Sequence, residues 1–120
     1  MLTEDNKLDM ADQRMLYLGN IKEIPIGAGK KFVYPARDER GSMIPGWLIH
    51  LDDGLVAYDG LCTHLHAELE WNRYIGRILC TLHDGVYDPK TGRPILGLPR
   101  EPLKKLDLKL DDNGDIYLIL

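Results

Sequence analysis

Cys62-Thr63-His64-Leu65-His66 and Cys80-Thr81-Leu82-His83-Asp84-Gly85-Val86-Tyr87-Asp88 decide how this chain is read. Each stretch starts on a cysteine and brings an imidazole within three residues, so each is a short loop offering one thiolate and one imidazole. The chain has only two cysteines, and both lie in these loops. Cys62, His64, Cys80 and His83 therefore form a four-donor set of thiolate and imidazole, the ligand types that suit transition metals.

Two centres use two Cys and two His. Structural zinc takes them as a tetrahedron, but zinc sites space their first pair as C-x2-4-C, and C-x-H is an uncommon start. The other centre is a [2Fe–2S] cluster in which two His replace two Cys on one iron. Gly85, Tyr87, Thr91-Gly92 and the segment Gly97-Leu98-Pro99-Arg100-Glu101-Pro102-Leu103 have no part to play in a zinc finger. Taken together, C-T-H-L-H, C-T-L-H-D-G-V-Y-D followed by T-G, and this proline-rich segment resemble the Rieske family closely. The resemblance runs from about Tyr17 to Leu120. It implies one [2Fe–2S] cluster per chain, with Cys62 and Cys80 on a buried iron and His64 and His83 on an outer iron near the surface. Spacing alone does not say which iron each ligand holds.

Counting charge gives the ligand set its purpose. Two ferric ions, two sulfides and two thiolates sum to zero, whereas four thiolates leave the oxidised cluster at minus two. Adding an electron to the neutral form costs less electrostatic work. Rieske potentials accordingly span roughly −150 to +300 mV, against about −400 mV for plant-type ferredoxins. Ferric iron also acidifies a bound imidazole, so electron uptake is expected to couple to pH.

Neighbouring residues tune this expectation. In high-potential relatives the position of Gly85 holds a Ser that bonds a bridging sulfide, so glycine implies a lower potential. Tyr87 matches a family Tyr whose hydroxyl donates to the first cysteine's sulfur, here Cys62; an ordinary core aromatic is the alternative. Asp84 adds negative charge beside the cluster, which disfavours reduction and favours protonated imidazole. Pro99 belongs to the covering segment. His66 stands where the family commonly has Gly, and is a further titrating group, a docking contact or a plain loop residue. His50, Trp47 and Trp71 read as structural, with Trp71 suited to pack behind the loops.

Composition bounds the rest. With 120 residues and a net charge of −4, the chain is expected to be one domain with a single modest core, and no nucleic-acid surface is indicated. No apolar run approaches the roughly 20 residues needed to span a bilayer. The acidic, polar start lacks the features of a signal peptide, which favours a cytoplasmic protein without a membrane anchor. Respiratory relatives clasp their loops with a disulfide, but the equivalent positions here are Ala67 and Leu82. The resemblance is therefore to soluble, disulfide-free Rieske-type ferredoxins.

Short apolar runs between Gly-, Pro- and Asp-rich turns point to an all-β sandwich or small barrel. Expected strands are Met15–Gly19, Lys31–Tyr34, Trp47–Leu51, Leu55–Tyr58, Tyr74–Leu79, Val86–Asp88, an imperfect alternation over Leu103–Leu110, and Ile116–Leu120. Residues 1–13 are expected to be a mobile tail. The domain then covers 14–120, with cluster loops at about 60–70 and 80–102.

No nucleophile–base pair, phosphate loop or nicotinamide fingerprint accompanies the ligands, so an electron-transfer protein is favoured over an enzyme. The resemblance implies a monomeric one-electron carrier between a reductase and an oxygenase or another acceptor. The alternatives are a permanent small subunit of a nitrite reductase-like or arsenite oxidase-like complex, a detached oxygenase module, and a structural zinc domain.

Overall fold

The computed structural model describes residues 14–35, 42–63, 67–80, 85–97, 99 and 101–120. The expected tail over 1–13 and residues 36–41 lie outside the described residues; of the polar, Gly- and Pro-punctuated hairpin loop expected over Ala36–Pro45, Met43–Pro45 instead pair with Val33–Pro35 as strand. No helix among those described is long and apolar enough to cross a membrane.

The strands are β1 (Met15–Asn20), β2 (Gly29–Pro35), β3 (Met43–Leu51), β4 (Gly54–Asp59), β5 (Leu69–Asn72), β6 (Arg77–Cys80), β7 (Gly85–Tyr87), β8 (Pro94–Leu96), β9 (Leu108–Leu110) and β10 (Asp115–Ile119). They pair antiparallel into three sheets, ordered β9-β10-β1, β2-β3-β4 and β5-β6-β7-β8. The all-β expectation holds. A single 3-10 turn, Ile21–Glu23, follows β1. Asn20 caps it by accepting from the Lys22 amide, while Glu23 accepts from the Asn20 amide.

The middle sheet has a core on each face. Side chains alternate across a strand, so Leu48 and Ala57 enter a core with Leu18, Ile24, Tyr34, Leu106, Ile116 and Leu118. Their neighbours Ile49, Leu51 and Tyr58 enter a second core, with Cys62, Leu69, Ile78, Cys80, Tyr87 and Leu103. Burial on both faces is why Trp47–Leu51 reads as a nearly continuous apolar run. The expectation of one core is corrected to two, back to back across β2-β3-β4.

Three further expectations change. Tyr74–Leu79 is not one strand: the Asn72 side chain accepts from the Tyr74 and Ile75 amides, and Gly76 takes φ +65°. That folds 73–76 into a turn and delays β6 to Arg77. Strands β5 and β8 were not expected. Over Leu103–Leu110 only Leu108–Leu110 is strand, and Leu106 is buried while Leu110 is half exposed.

Candidate metal centre

Both cysteine loops rise from the same end of the four-stranded sheet. Leu61 bridges Glu68, and the Cys62 amide donates to the Ala67 carbonyl at 2.7 Å. Cys80 pairs with Gly85 across β6 and β7. Each cysteine thus opens a loop that closes five positions later. Leu69 pairs with Cys80, which sets the two loops side by side. His64 and His66 in the first loop, and His83 and Asp84 in the second, lie outside the described residues.

Cys62 and Cys80 are each 1% exposed and share one apolar core. Two buried thiols at the mouths of adjacent loops, with an imidazole in each loop by sequence, fit a Cys2His2 [2Fe–2S] centre. Buried apolar surroundings raise a cysteine's pKa unless a metal or other positive charge stabilises the thiolate.

The Tyr87 hydroxyl approaches the cysteine that opens the first loop. It lies 3.4 Å from Cys62 Sγ, and the Tyr87 side chain is fully buried. Burial first, then the bond to the Cys62 sulfur, pushes the phenol up to about 12, so it stays protonated and able to donate. Pro99 lies against Gly85 at the start of β7. A Cβ built on Gly85 would sit 2.9 Å from Pro99 Cγ, 3.0 Å from Pro99 Cδ and 3.2 Å from Cys80 Cβ. The φ of Gly85 is not positive, so glycine is required by the proline ring's close approach and not by the backbone. A hydroxyl at this position has no room unless the 97–103 segment moves.

The remaining candidates are structural. His50 Nδ1 meets the Ile24 carbonyl at 2.6 Å. Trp47 Nε1 donates to the Leu69 carbonyl and Trp71 Nε1 to the Gly27 carbonyl, each at 3.0 Å, and both indoles pack against the cysteine-bearing core. They tie the middle sheet to the loop-bearing sheet. Lys31 adds an ion pair to Glu68 at 2.6 Å. Gly92, at φ +76°, turns the chain against the Tyr58 ring, and its carbonyl accepts from the Leu103 amide at 2.8 Å. This anchors the proline-rich segment.

Sequence reasoning missed Thr63. Its amide donates to the Tyr87 oxygen at 3.2 Å, its hydroxyl lies 3.0 Å from the same oxygen, and it also donates to the Glu101 carbonyl at 3.0 Å. The available signal was a hydroxyl residue placed between two ligands in the Cys62-Thr63-His64 triplet.

Three antiparallel sheets among the described residues, with Cys62 and Cys80 buried at one end of the four-stranded one, define a small β protein with two adjacent cysteine loops. The model of the Rieske [2Fe-2S] domain matches residues 11–107, and the chain belongs to that family. One [2Fe–2S] cluster per chain goes with membership. The carotenoid phi-ring synthase of Chlorobaculum tepidum is 32% identical over 88 residues, 63% of this chain and 13% of that protein. This chain thus spans a small part of that relative's length. The anthranilate 1,2-dioxygenase ferredoxin subunit of Burkholderia cepacia is 31% identical over 94 residues, 73% of this chain and 83% of that protein. The ferredoxin of carbazole 1,9a-dioxygenase from Nocardioides aromaticivorans IC177 shares the fold, with a TM-score of 0.65 at 21% identity over 87% of this chain and 95% of that one.

Proposed function

We propose that this protein is a Rieske-type ferredoxin, a monomeric cytoplasmic one-electron carrier and not itself an enzyme, serving a reductase and an oxygenase or similar acceptor. Cys62 and Cys80 would hold the inner iron and His64 and His83 the outer one. When bound, the cluster supplies reversible storage of one electron.

The chain's own residues hold and shield that site. The two cysteine sulfurs sit in a dry core, where charge is weakly screened. The Tyr87 hydroxyl oxygen lies 3.4 Å from Cys62 Sγ, and a hydrogen bond donated from it to a ligating sulfur would raise the potential. Gly85 brings no second hydroxyl, and Pro99 fills the space one would need. The balance supports a value in the lower to middle part of the roughly −150 to +300 mV family span. Asp84, if charged, adds to the downward push.

The observation that carries this reading is the buried Cys62–Tyr87 contact at the mouth of the first loop, which places a hydrogen-bonding group on the first cysteine's sulfur. The size of the relative from Burkholderia cepacia supports a free carrier, since 83% of that ferredoxin subunit is matched. Coulometric titration tests it: the purified protein should take up one electron per chain, reversibly, and stay monomeric. Uptake of no electron, or purification only as part of a larger complex, contradicts the carrier reading.

A further inference from the structure

The Tyr87 oxygen is fully enclosed and has more partners than one proton can serve. A phenol donates once, and a threonine hydroxyl donates once. Within reach of the Tyr87 proton are Cys62 Sγ at 3.4 Å and Thr63 Oγ1 at 3.0 Å. Within reach of the Thr63 proton are the Tyr87 oxygen and the Glu101 carbonyl, each at 3.0 Å. The Thr63 amide already donates to Tyr87, so that oxygen is fixed in place whichever way the hydroxyl protons point.

Three arrangements use these contacts. In the first, Thr63 donates to Glu101 and Tyr87 donates to Thr63, leaving the Cys62 sulfur without the phenol's proton. In the second, Tyr87 donates to Cys62 and Thr63 donates to Tyr87, leaving the Glu101 carbonyl to solvent. In the third, both protons point outward, to Cys62 and Glu101, and two oxygens face each other at 3.0 Å with no proton between them. The third is the least favourable, because lone pairs meet in a weakly screened site. The first and second therefore compete.

We propose that Thr63 is a positioning residue that draws the Tyr87 proton away from Cys62, so that the hold of the proline-rich segment on Thr63, through Glu101, sets how strongly Tyr87 bonds the cysteine sulfur. The balance depends on charge at that sulfur. A more negative Cys62 Sγ is a better acceptor and favours the second arrangement, in which Thr63 releases Glu101. The covering segment and the first cysteine are thereby linked through two hydroxyl protons. This inference rests on the carrier reading above, but goes beyond it by giving a role to a residue that ligates nothing.

The test is a double-mutant cycle read by midpoint potential in the cluster-bearing protein. Thr63→Val keeps the branched shape and removes the competing oxygen. The potential should rise, because among the described residues Cys62 is then the one acceptor within reach of the Tyr87 proton. In the Tyr87→Phe background, where the potential should be lower, Thr63→Val should produce no further shift. Thr63→Ser should restore the wild-type value. Thr63→Val leaving the potential unchanged or lowered, or shifting it equally with and without Tyr87, overturns the proposal. Wild-type protein gives an independent readout should Val disturb the loop. Ultraviolet resonance Raman should show the Tyr87 hydroxyl bands moving between oxidised and reduced forms, referenced to Tyr87→Phe, and static bands contradict the switch. Absence of any cluster in wild-type protein would sink the carrier reading instead, so the two failures are distinguishable.

Discussion

The two cores sharing the middle sheet are built on different terms. The one against β1 and β10 is assembled from aliphatic side chains and Tyr34, carried mostly on strands of five to nine residues. The one against β5–β8 includes both cysteines, and its sheet has strands of only three or four residues. Its loops are fixed by specific contacts: indole to carbonyl, phenol to sulfur, proline ring to glycine. The first core can hold itself together by apolar burial. The second carries the two candidate cysteine ligands, and precision matters there more than bulk.

Removing a ligand should separate the halves most sharply. Cys80→Ser should abolish the cluster altogether. Hydrogen exchange should then show the amides of Ile78 and Tyr87 losing protection while those of Ile116 and Leu118 keep theirs. Uniform collapse of protection would show that the two cores are one cooperative unit.

Leu118→Ala probes the other side. Leu118 is 1% exposed, and deleting a buried leucine's methyl groups costs about 2–5 kcal/mol. Chemical unfolding should show this loss with the midpoint potential unchanged. A potential that moves with stability would break the comparison.

Gly85→Ala should cost about 1–3 kcal/mol, the usual penalty of overpacking, because the new methyl meets Pro99 at 2.9 Å. Pairing it with Pro99→Ala should recover much of the loss. A Gly85→Ala variant as stable as wild type would show that the proline cover is looser than its geometry.

The smallest effect concerns Asp59, at the end of β4. Burial raises its carboxyl above the ordinary 3.8, with Lys104 opposing. The folded state therefore holds the proton more tightly than the unfolded chain. This contribution to stability is present below the ordinary carboxylate pKa and is lost as pH rises through the raised value. Tyr34, pushed up to about 12 by burial and then by Asp59, stays neutral throughout. Asp59→Asn should flatten the acid side of a urea-midpoint profile by under about 1 kcal/mol, and an unaltered profile would remove Asp59 as the cause.

The all-β class was legible in the sequence, while several of its strand boundaries were not. The candidate ligand loops are read from residue identity, and Tyr87 and Pro99 were singled out by their offsets from the candidate ligands. Thr63 escaped because its role depends on a carbonyl 38 residues away in the chain. Strand β5, Leu69-Glu70-Trp71-Asn72, does alternate apolar and polar residues, but four residues between a cysteine loop and a turn make a short signal. Strand β8 begins on Pro94, which is tolerated at a sheet edge. The continuous apolar run Trp47–Leu51 gave no clue that its alternate residues serve different cores. The Asn72 turn was hidden by Tyr74 and Ile75, which look like strand residues but stand 93% and 57% exposed.

Metal and sulfide content tests the central claim most directly. Protein purified anaerobically should contain two irons and two acid-labile sulfides per chain, as one [2Fe–2S] cluster requires, and both should vanish together in a His64→Ala, His83→Ala double variant. One zinc per chain with neither iron nor sulfide would contradict the account, and would return the Cys62, His64, Cys80 and His83 set to a structural metal site.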